Sequence, residues 1–391
     1  MAKRHHTSPA LLDQIRRCQE LILARSGVDD FYEAIRLLVA KSIYEKGNNA
    51  NPLTYTLAQE TLALNSKTVQ RFVDDGISFA SPPEVIDECF AVLQPTKLAT
   101  AGFEALDAAF EAMTSRESKS DKGQFFTPRH VVDFCIAALR PQKGELICDP
   151  ACGSAAFLKA AYDFIGEPTV DTLFGFDISR RAARTAELMS FLACGDTLAT
   201  AQLDSLAVKS SQFISTSGDE LKSFMKSKIQ DFKGFDVIAT NPPFAGDVSS
   251  SGYADQYELG RLAGSRIERD VIFIERCVNL LRPGGRLAMV LPDNKVSAKK
   301  FSQVRRWLVK NMNVISVVSL HGYTFRPYTS QKAVVVFASK PTEISSRSPS
   351  IALYQSTRPG KTSSGDLISV DGKVDHDLAP IGHDLEKLWA I

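Results

Sequence analysis

The sequence predicts an α/β protein in which an N-terminal helical domain precedes a doubly wound, Rossmann-like sheet. Three observations carry this expectation. Apolar residues follow a helical period through the first 115 or so positions. Beyond them the pattern changes to short runs of Ile, Val and Phe that alternate with helical segments, as in a parallel sheet with crossover helices. Each run ends close to an acidic, polar or glycine-bearing turn. At 391 residues the chain exceeds what one core usually supports, which favours two domains.

In the first part, Leu11, Leu12, Ile15, Cys18 and Ile22, and then Phe31, Ile35, Leu38 and Val39, mark successive helices. Asp29 or Asp30 is placed to cap the second helix, Gly47 to end it, and Ser81 followed by Pro82 to open a later one. Residues 1–115 are assigned to this helical domain, and the polar stretch SRESKSDKG to a linker. Residues 116–340 make the α/β domain. Its strands are predicted at ELICDP, TLFGFD, DVIATNPPF, RLAMVLP, VISVVSL and AVVVFAS, with helices such as SRRAARTAELMSFLA and RDVIFIERCVNLL between them. Residues 341–391 form a Ser-, Pro- and Gly-rich extension with one strand at IALYQ and a terminal helix at DLEKLWAI.

Forty-six basic against 45 acidic residues leave a net charge of +1, which argues against strong unaided binding to nucleic acid but allows a local basic face. No apolar run is long enough to span a bilayer, and the opening MAKRHHTSPA lacks the apolar core of a secretion signal. A cytoplasmic protein without membrane contact is expected. Seven cysteines without a C-x-x-C pair imply reduced thiols, no disulfide framework and no metal site.

Ligands of such sheets bind beyond the carboxyl ends of the strands. ICDPACGSAAF runs from strand through an acid and a small-residue turn into a helix, so Ala151, Gly153 and Ser154 allow close approach of backbone N–H groups to a ligand. The Asp149 carboxylate there suits the ammonium of a methionine moiety, although a bare strand-to-helix connection would read similarly. Asp177, in GFDIS one strand later, can accept both hydroxyl protons of a ribose or can cap a helix. Asp204, in LDSLA, lies where a third strand would end, within reach of an adenine ring or simply in a solvated loop. FDVIATNPPF is the most informative stretch. Its two prolines fix the turn and free the preceding carbonyls to accept hydrogen bonds. An amino group with two hydrogens fits between the side-chain oxygen of Asn241 and the carbonyl of Pro242, with Pro243 stiffening the corner and Phe244 offering a ring to a flipped base.

Together these segments resemble the gamma-class adenine-N6 DNA methyltransferases, most closely the modification subunit of type I restriction-modification systems, over about residues 103–340. The resemblance implies a class I S-adenosylmethionine-dependent methyltransferase sheet, S-adenosylmethionine as cofactor and double-stranded DNA as substrate. It also implies that GQFFTPRHVVDF closes over the methionine end of the cofactor through Gln124, Phe125 and Thr127. LRPGGRLAMVLPD and GYTFRPYTSQKAVVVFAS match the same subunit as scaffold. One departure is Ala155-Ala156, where the family usually has a glycine pair, and the two methyl groups are expected to weaken cofactor binding. A domain that reads a DNA sequence needs on the order of 100 to 150 residues. The assignments above leave no such stretch, so a separate specificity subunit is expected, with a nuclease subunit as a further partner. The alternatives are a methyltransferase acting on RNA or on a protein glutamine, and a non-catalytic scaffold of the same fold. The position of GQFFTP upstream of the cofactor turn, together with a helical domain, favours the DNA enzymes.

Overall fold

The computed structural model describes residues 9–47, 49, 51–73, 76–98, 107, 126–166, 170–195, 198–208, 219–244, 246–248, 254–262, 267–327, 329–343, 350–371 and 373–389. They divide into two units. The described residues of 121–179 and 201–391 form a sheet unit, and those of 6–120 and 180–200 form a helical unit.

In the helical unit the helices Pro9–Arg25, Asp30–Lys46, Tyr55–Leu64 and Pro83–Leu93 bury the apolar stripe that their periodicity announces, with Ile22, Phe31, Ile35, Leu62 and Ile86 fully covered. Asp29 caps the second helix, its Oδ1 accepting the Phe31 N–H at 2.9 Å. The N–H of Gly47 closes that helix on the Ile43 carbonyl, and Pro83 opens the later helix, directly after Pro82. The helix Arg180–Cys194 belongs to this unit as well, with Leu188 and Met189 inside its core and Arg181 Nη2 donating to Asp29 Oδ2 at 2.8 Å.

The strands are β1 Ile147–Asp149, β2 Leu173–Asp177, β3 Ala199–Gln202, β4 Phe235–Thr240, β5 Leu281–Pro292, β6 Asn313–Ser319, β7 Ala333–Ser339 and β8 Ala352–Gln355, which include every predicted run and add β3. They form one sheet in the order β3-β2-β1-β4-β5-β7-β6-β8. β1 runs parallel to β2 and β4, and β4 to β5, whereas β7 lies antiparallel between β5 and β6. The sheet is therefore mixed at one side, which corrects the wholly parallel arrangement expected from the sequence. β7 is buried on both faces except at its last residue, and such a run has the same pattern whichever way the chain passes through it.

The chain leaves β1 toward β2 and β3, then returns to place β4 on the other side of β1. That reversal opens a crevice beyond the tips of β1 and β4, the usual ligand position in doubly wound sheets. Beyond residue 340, β8 pairs with β6 and extends the sheet. A small hairpin, β9 Ser369–Val370 with β10 Lys373–Val374, was not foreseen, and the terminal helix begins earlier than predicted, at Leu378. This last helix seats Gly382 against Phe134 and Glu386 on Arg140, on the helix Arg129–Leu139. Among the described residues, no helix is long and apolar enough to cross a membrane.

Candidate active site

Asp149 ends β1 with 1% of its surface exposed. In the sheet register Cys148 lies beside Ile238, so Asp149 comes level with the end of β4. There Thr240 Oγ1 donates to Asp149 Oδ1 at 2.6 Å, and the Ala151 N–H donates to the same oxygen at 3.1 Å. Burial pushes the Asp149 carboxyl up to about 7, against the opposing effect of these two hydrogen bonds. Both bonds fall on Oδ1. The other carboxylate oxygen is the one available to a cationic ligand.

The turn that follows is tied to β2. Cys152 N–H donates to the Phe176 carbonyl at 2.9 Å, and Gly153 N–H to Asp177 Oδ2 at 3.2 Å, while Asp177 Oδ1 accepts the Ser179 N–H at 2.8 Å. Asp177 thus holds this turn and its own strand end together. Burial raises its carboxyl too, and both oxygens retain a lone pair for hydroxyl donors. Gly153 takes a positive φ of 52° with open space where a side chain would be, so the backbone there is bare to an approaching group. Ser154 is buried and Ala151 half-buried.

Ala155 sits in the left-handed region at φ 67°, ψ 28°, immediately before the helix Ala156–Ile165. Its methyl group is 1% exposed. At Ala155 the departure from glycine is therefore felt as backbone strain more than as crowding of an open space, while Ala156 is half-buried. Left-handed geometry costs an L-residue roughly 1–2 kcal/mol, partly offset by the greater freedom that glycine loses on folding. Ala155→Gly is expected to raise the unfolding free energy by about 0.5–1 kcal/mol, seen as a higher urea midpoint at unchanged slope. An unchanged or lower midpoint would show that the left-handed turn is not a source of strain.

At the tip of β4 the two prolines end the ladder, because neither can donate. Asn241 is half-buried, and its Nδ2 donates to Thr127 Oγ1 at 2.9 Å. The structure thus brings together the tetrapeptide and one residue of the predicted closing segment. Gln124 and Phe125 lie outside the described residues. Pro242 is buried and Pro243 half-buried. Phe244 is 6% exposed, with its ring tilted against Phe325 at 6.0 Å between centroids. It is mostly covered, so stacking on a base requires the ring to turn out or the Phe325 loop to yield. Behind the tetrapeptide, the Arg269 N–H donates to the Gly246 carbonyl and the Val248 N–H to the Ile267 carbonyl. Gly246 has a φ of 115°, and a side chain there would meet the Arg269 guanidinium at 3.0 Å. The positive φ favours glycine there, and a side chain would have to displace the guanidinium.

Asp204 follows β3 and is half-buried, its Oδ1 accepting the Leu206 N–H at 3.0 Å in a local turn. It is less committed to the crevice than the other two acids. Sequence reading missed Thr240, which couples the two strand tips, and Ile178, whose apolar side chain stands 61% exposed directly after Asp177. An exposed isoleucine beside a strand-end acid was a readable signal for Ile178, whereas nothing local announces the Thr240 pairing across 91 positions of sequence. Cys148 and Cys152 are buried, and burial holds their thiols well above the ordinary value, which suits small buried residues better than nucleophiles.

A sheet reversed at β1/β4, with acids at the tips of β1 and β2 and a proline corner at the tip of β4, defines a class I S-adenosylmethionine-dependent methyltransferase fold. The chain belongs to the N-6 DNA Methylase family, whose model matches residues 105–366. It is 26% identical over 227 residues to the EcoEI type I restriction enzyme methylase subunit of Escherichia coli, covering 57% of this chain and 44% of that protein. To the EcoKI methylase subunit of Escherichia coli K12 it is 29% identical over 223 residues, 53% of this chain and 38% of the relative. The chain thus spans less than half the length of these relatives. Among solved structures, the methyltransferase subunit of a type I restriction-modification system from Streptococcus thermophilus superposes with a TM-score of 0.61 at 15% identity, covering 97% of this chain and 93% of that one. A Listeria monocytogenes protein assigned to the class I S-adenosylmethionine-dependent methyltransferases gives 0.60 at 17% identity, with 97% and 98% covered. Both likenesses are of fold.

Proposed function

We propose that this protein transfers methyl groups from S-adenosylmethionine to N6 of adenine in double-stranded DNA, as the modification subunit of a restriction system directed by a separate specificity subunit. The observation that carries this reading is the Asn241-Pro242-Pro243-Phe244 corner at the tip of β4, joined through Thr240 to Asp149 at the tip of β1. The residues present suit the cofactor. Asp149 offers a buried carboxylate to an ammonium, Asp177 two oxygens to a ribose diol, Ile178 an exposed apolar side chain to an adenine face, and Gly153 an open backbone to the methionine end. Asp204 is the nearest further acid for the adenine edge, and Thr127, with Gln124 and Phe125, would close the methionine end.

S-adenosylmethionine, when bound, supplies the electrophilic methyl carbon. Asn241 accepts one amine hydrogen on Oδ1 and the Pro242 carbonyl accepts the other, which draws the nitrogen lone pair out of the ring and turns it toward the cofactor side. The contribution of the corner is positioning and polar stabilisation, with no covalent enzyme intermediate. Phe244 covers the flipped base once its ring leaves Phe325. The near-neutral charge of the chain and its relatives among type I methylase subunits support the specificity partner, and a nuclease subunit would complete such a system.

Long-read sequencing of host DNA with and without the gene tests the reading: N6-methyladenine at one fixed motif is expected only with it, and its absence would sink the proposal. Asp177→Ala is expected to weaken cofactor binding roughly tenfold to a hundredfold, since charge-assisted hydrogen bonds to the ribose are lost in the ground state. Calorimetric titration checks this, and an unchanged affinity would refute the ribose role.

A further inference from the structure

Residues 295–310 carry six cations, Lys295, Lys299, Lys300, Arg305, Arg306 and Lys310, and no acid. The segment begins just past the end of β5, on the edge of the sheet that bears Asn241, and runs through the 3-10 turn Lys299–Phe301 into the helix Ser302–Asn311. Three of the six have structural work. Lys295 is buried against Asp270 at 3.0 Å and pairs with Glu268, Lys300 pairs with Glu268 at 2.9 Å, and Arg305 donates to the Ala298 carbonyl at 2.7 Å. The other three do not. Lys299, Arg306 and Lys310 are exposed, and among the described residues no carboxylate lies within ion-pair distance of them.

Their spacing puts them on one face. Positions 299, 303, 306 and 310 follow the i, i+4, i+7 rhythm of a helix surface. The opposite face is occupied: Val304, Trp307 and Leu308 are buried, and Trp307 Nε1 donates to Glu258 Oε2 at 2.9 Å. Gln303, also exposed, is the remaining member of the outer stripe. The stripe is roughly 16 Å long at 1.5 Å per residue, comparable to about five base-pair steps of duplex. Helix energetics do not account for Lys299. It stands at the positive end of the helix dipole, where cations are disfavoured. In a chain of net charge +1, an unneutralised cationic row starting at the catalytic edge has the chemistry of a phosphate track.

We propose that Lys299, Arg306 and Lys310 contact successive backbone phosphates of the duplex beside the target adenine, and so supply sequence-independent grip. This rests on the methyltransferase reading of the same crevice. The test is the salt dependence of binding to a mixed-sequence duplex of about thirty base pairs, for the full chain and for K299A/R306A/K310A. The logarithmic slope against salt is expected to fall by about two to three, near 0.9 for each phosphate released, with affinity at low salt reduced roughly tenfold to a hundredfold. Calorimetry should give the variant an unchanged affinity for S-adenosylmethionine, which also reports that it is folded. The charge-matched triple K226A/K228A/K233A, exposed positions elsewhere on the sheet unit, is expected to keep the wild-type slope. A stripe variant with the wild-type slope, an equal fall in the control triple, or a wild-type chain that does not bind the duplex would each overturn the proposal. Failure of the methyltransferase reading shows separately, as host DNA without N6-methyladenine while the slope difference persists.

Discussion

Asn241→Ala is expected to lower methyl transfer by about a thousandfold or more while changing affinity for S-adenosylmethionine less than about threefold. Losing one preorganised polar contact to the reacting group already costs on the order of 10²–10³ in rate, and here the same contact also sets the direction of the amine lone pair. Among the proposed cofactor residues, Gly153 is held by Asp177, and Asp149 by Ala151 and Thr240, through bonds in which Asn241 takes no part. Its Nδ2 donates to Thr127 Oγ1, a residue of the segment proposed to close over the methionine end, so a modest change in affinity is expected through that neighbour. Asn241→Asp keeps an oxygen for the amine and can turn the Thr127 hydroxyl into a donor, so it should recover part of the rate. Single-turnover transfer and calorimetry on the three proteins check this. Loss of both rate and affinity in the alanine variant would assign the corner a structural role.

The second large effect concerns Asp149 and pH. Burial lifts its carboxyl to about 7, so near neutrality a substantial fraction carries a proton, whereas an ammonium ligand needs the ionised form. Cofactor affinity is therefore expected to weaken by about tenfold for each pH unit below 7. Binding near pH 6 should release close to one proton, measurable by calorimetry in buffers of different ionisation enthalpy. Asp149→Asn should flatten that dependence and bind roughly tenfold to a hundredfold more weakly at pH 8. A wild-type affinity independent of pH between about 5.5 and 7, the acid side of the raised carboxyl, would remove Asp149 from the ammonium site. The stability of the ligand-free protein moves the other way. A carboxyl raised in the folded state contributes stability that is present below its ordinary value of 3.8 and is lost as pH rises through 7. Asp177, raised by burial as well, adds to the same trend.

Much of this site was legible before folding. Asp149, Asp177 and Asn241 each end an apolar run, and strand ends are where a doubly wound sheet presents its chemistry. Seven of the eight strands of the large sheet were readable from short β-branched and aromatic runs and the turns after them, whereas β3, with the sequence ATAQ, carries no such run. Phe244 shows where such reading stops. Its residue type suggested an exposed stacking surface, but its burial depends on Phe325, a residue 81 positions later. The helix Arg180–Cys194 shows the same limit. Its period marks a helix, yet the partners of Leu188 and Met189 are the helices of the first hundred residues.

By itself the sequence determined the kinds of element, their order, and the chemical groups at the strand tips, because period, turn residues and burial are encoded within a few neighbouring positions. Tertiary structure alone decided the antiparallel insertion of β7, the Thr240 hydroxyl on Asp149, the left-handed strain at Ala155 and the isolation of Lys299, Arg306 and Lys310 on one open face. Each of these depends on which distant residues share a hydrogen bond or a dielectric environment, and pairing between remote segments leaves no mark in local spacing.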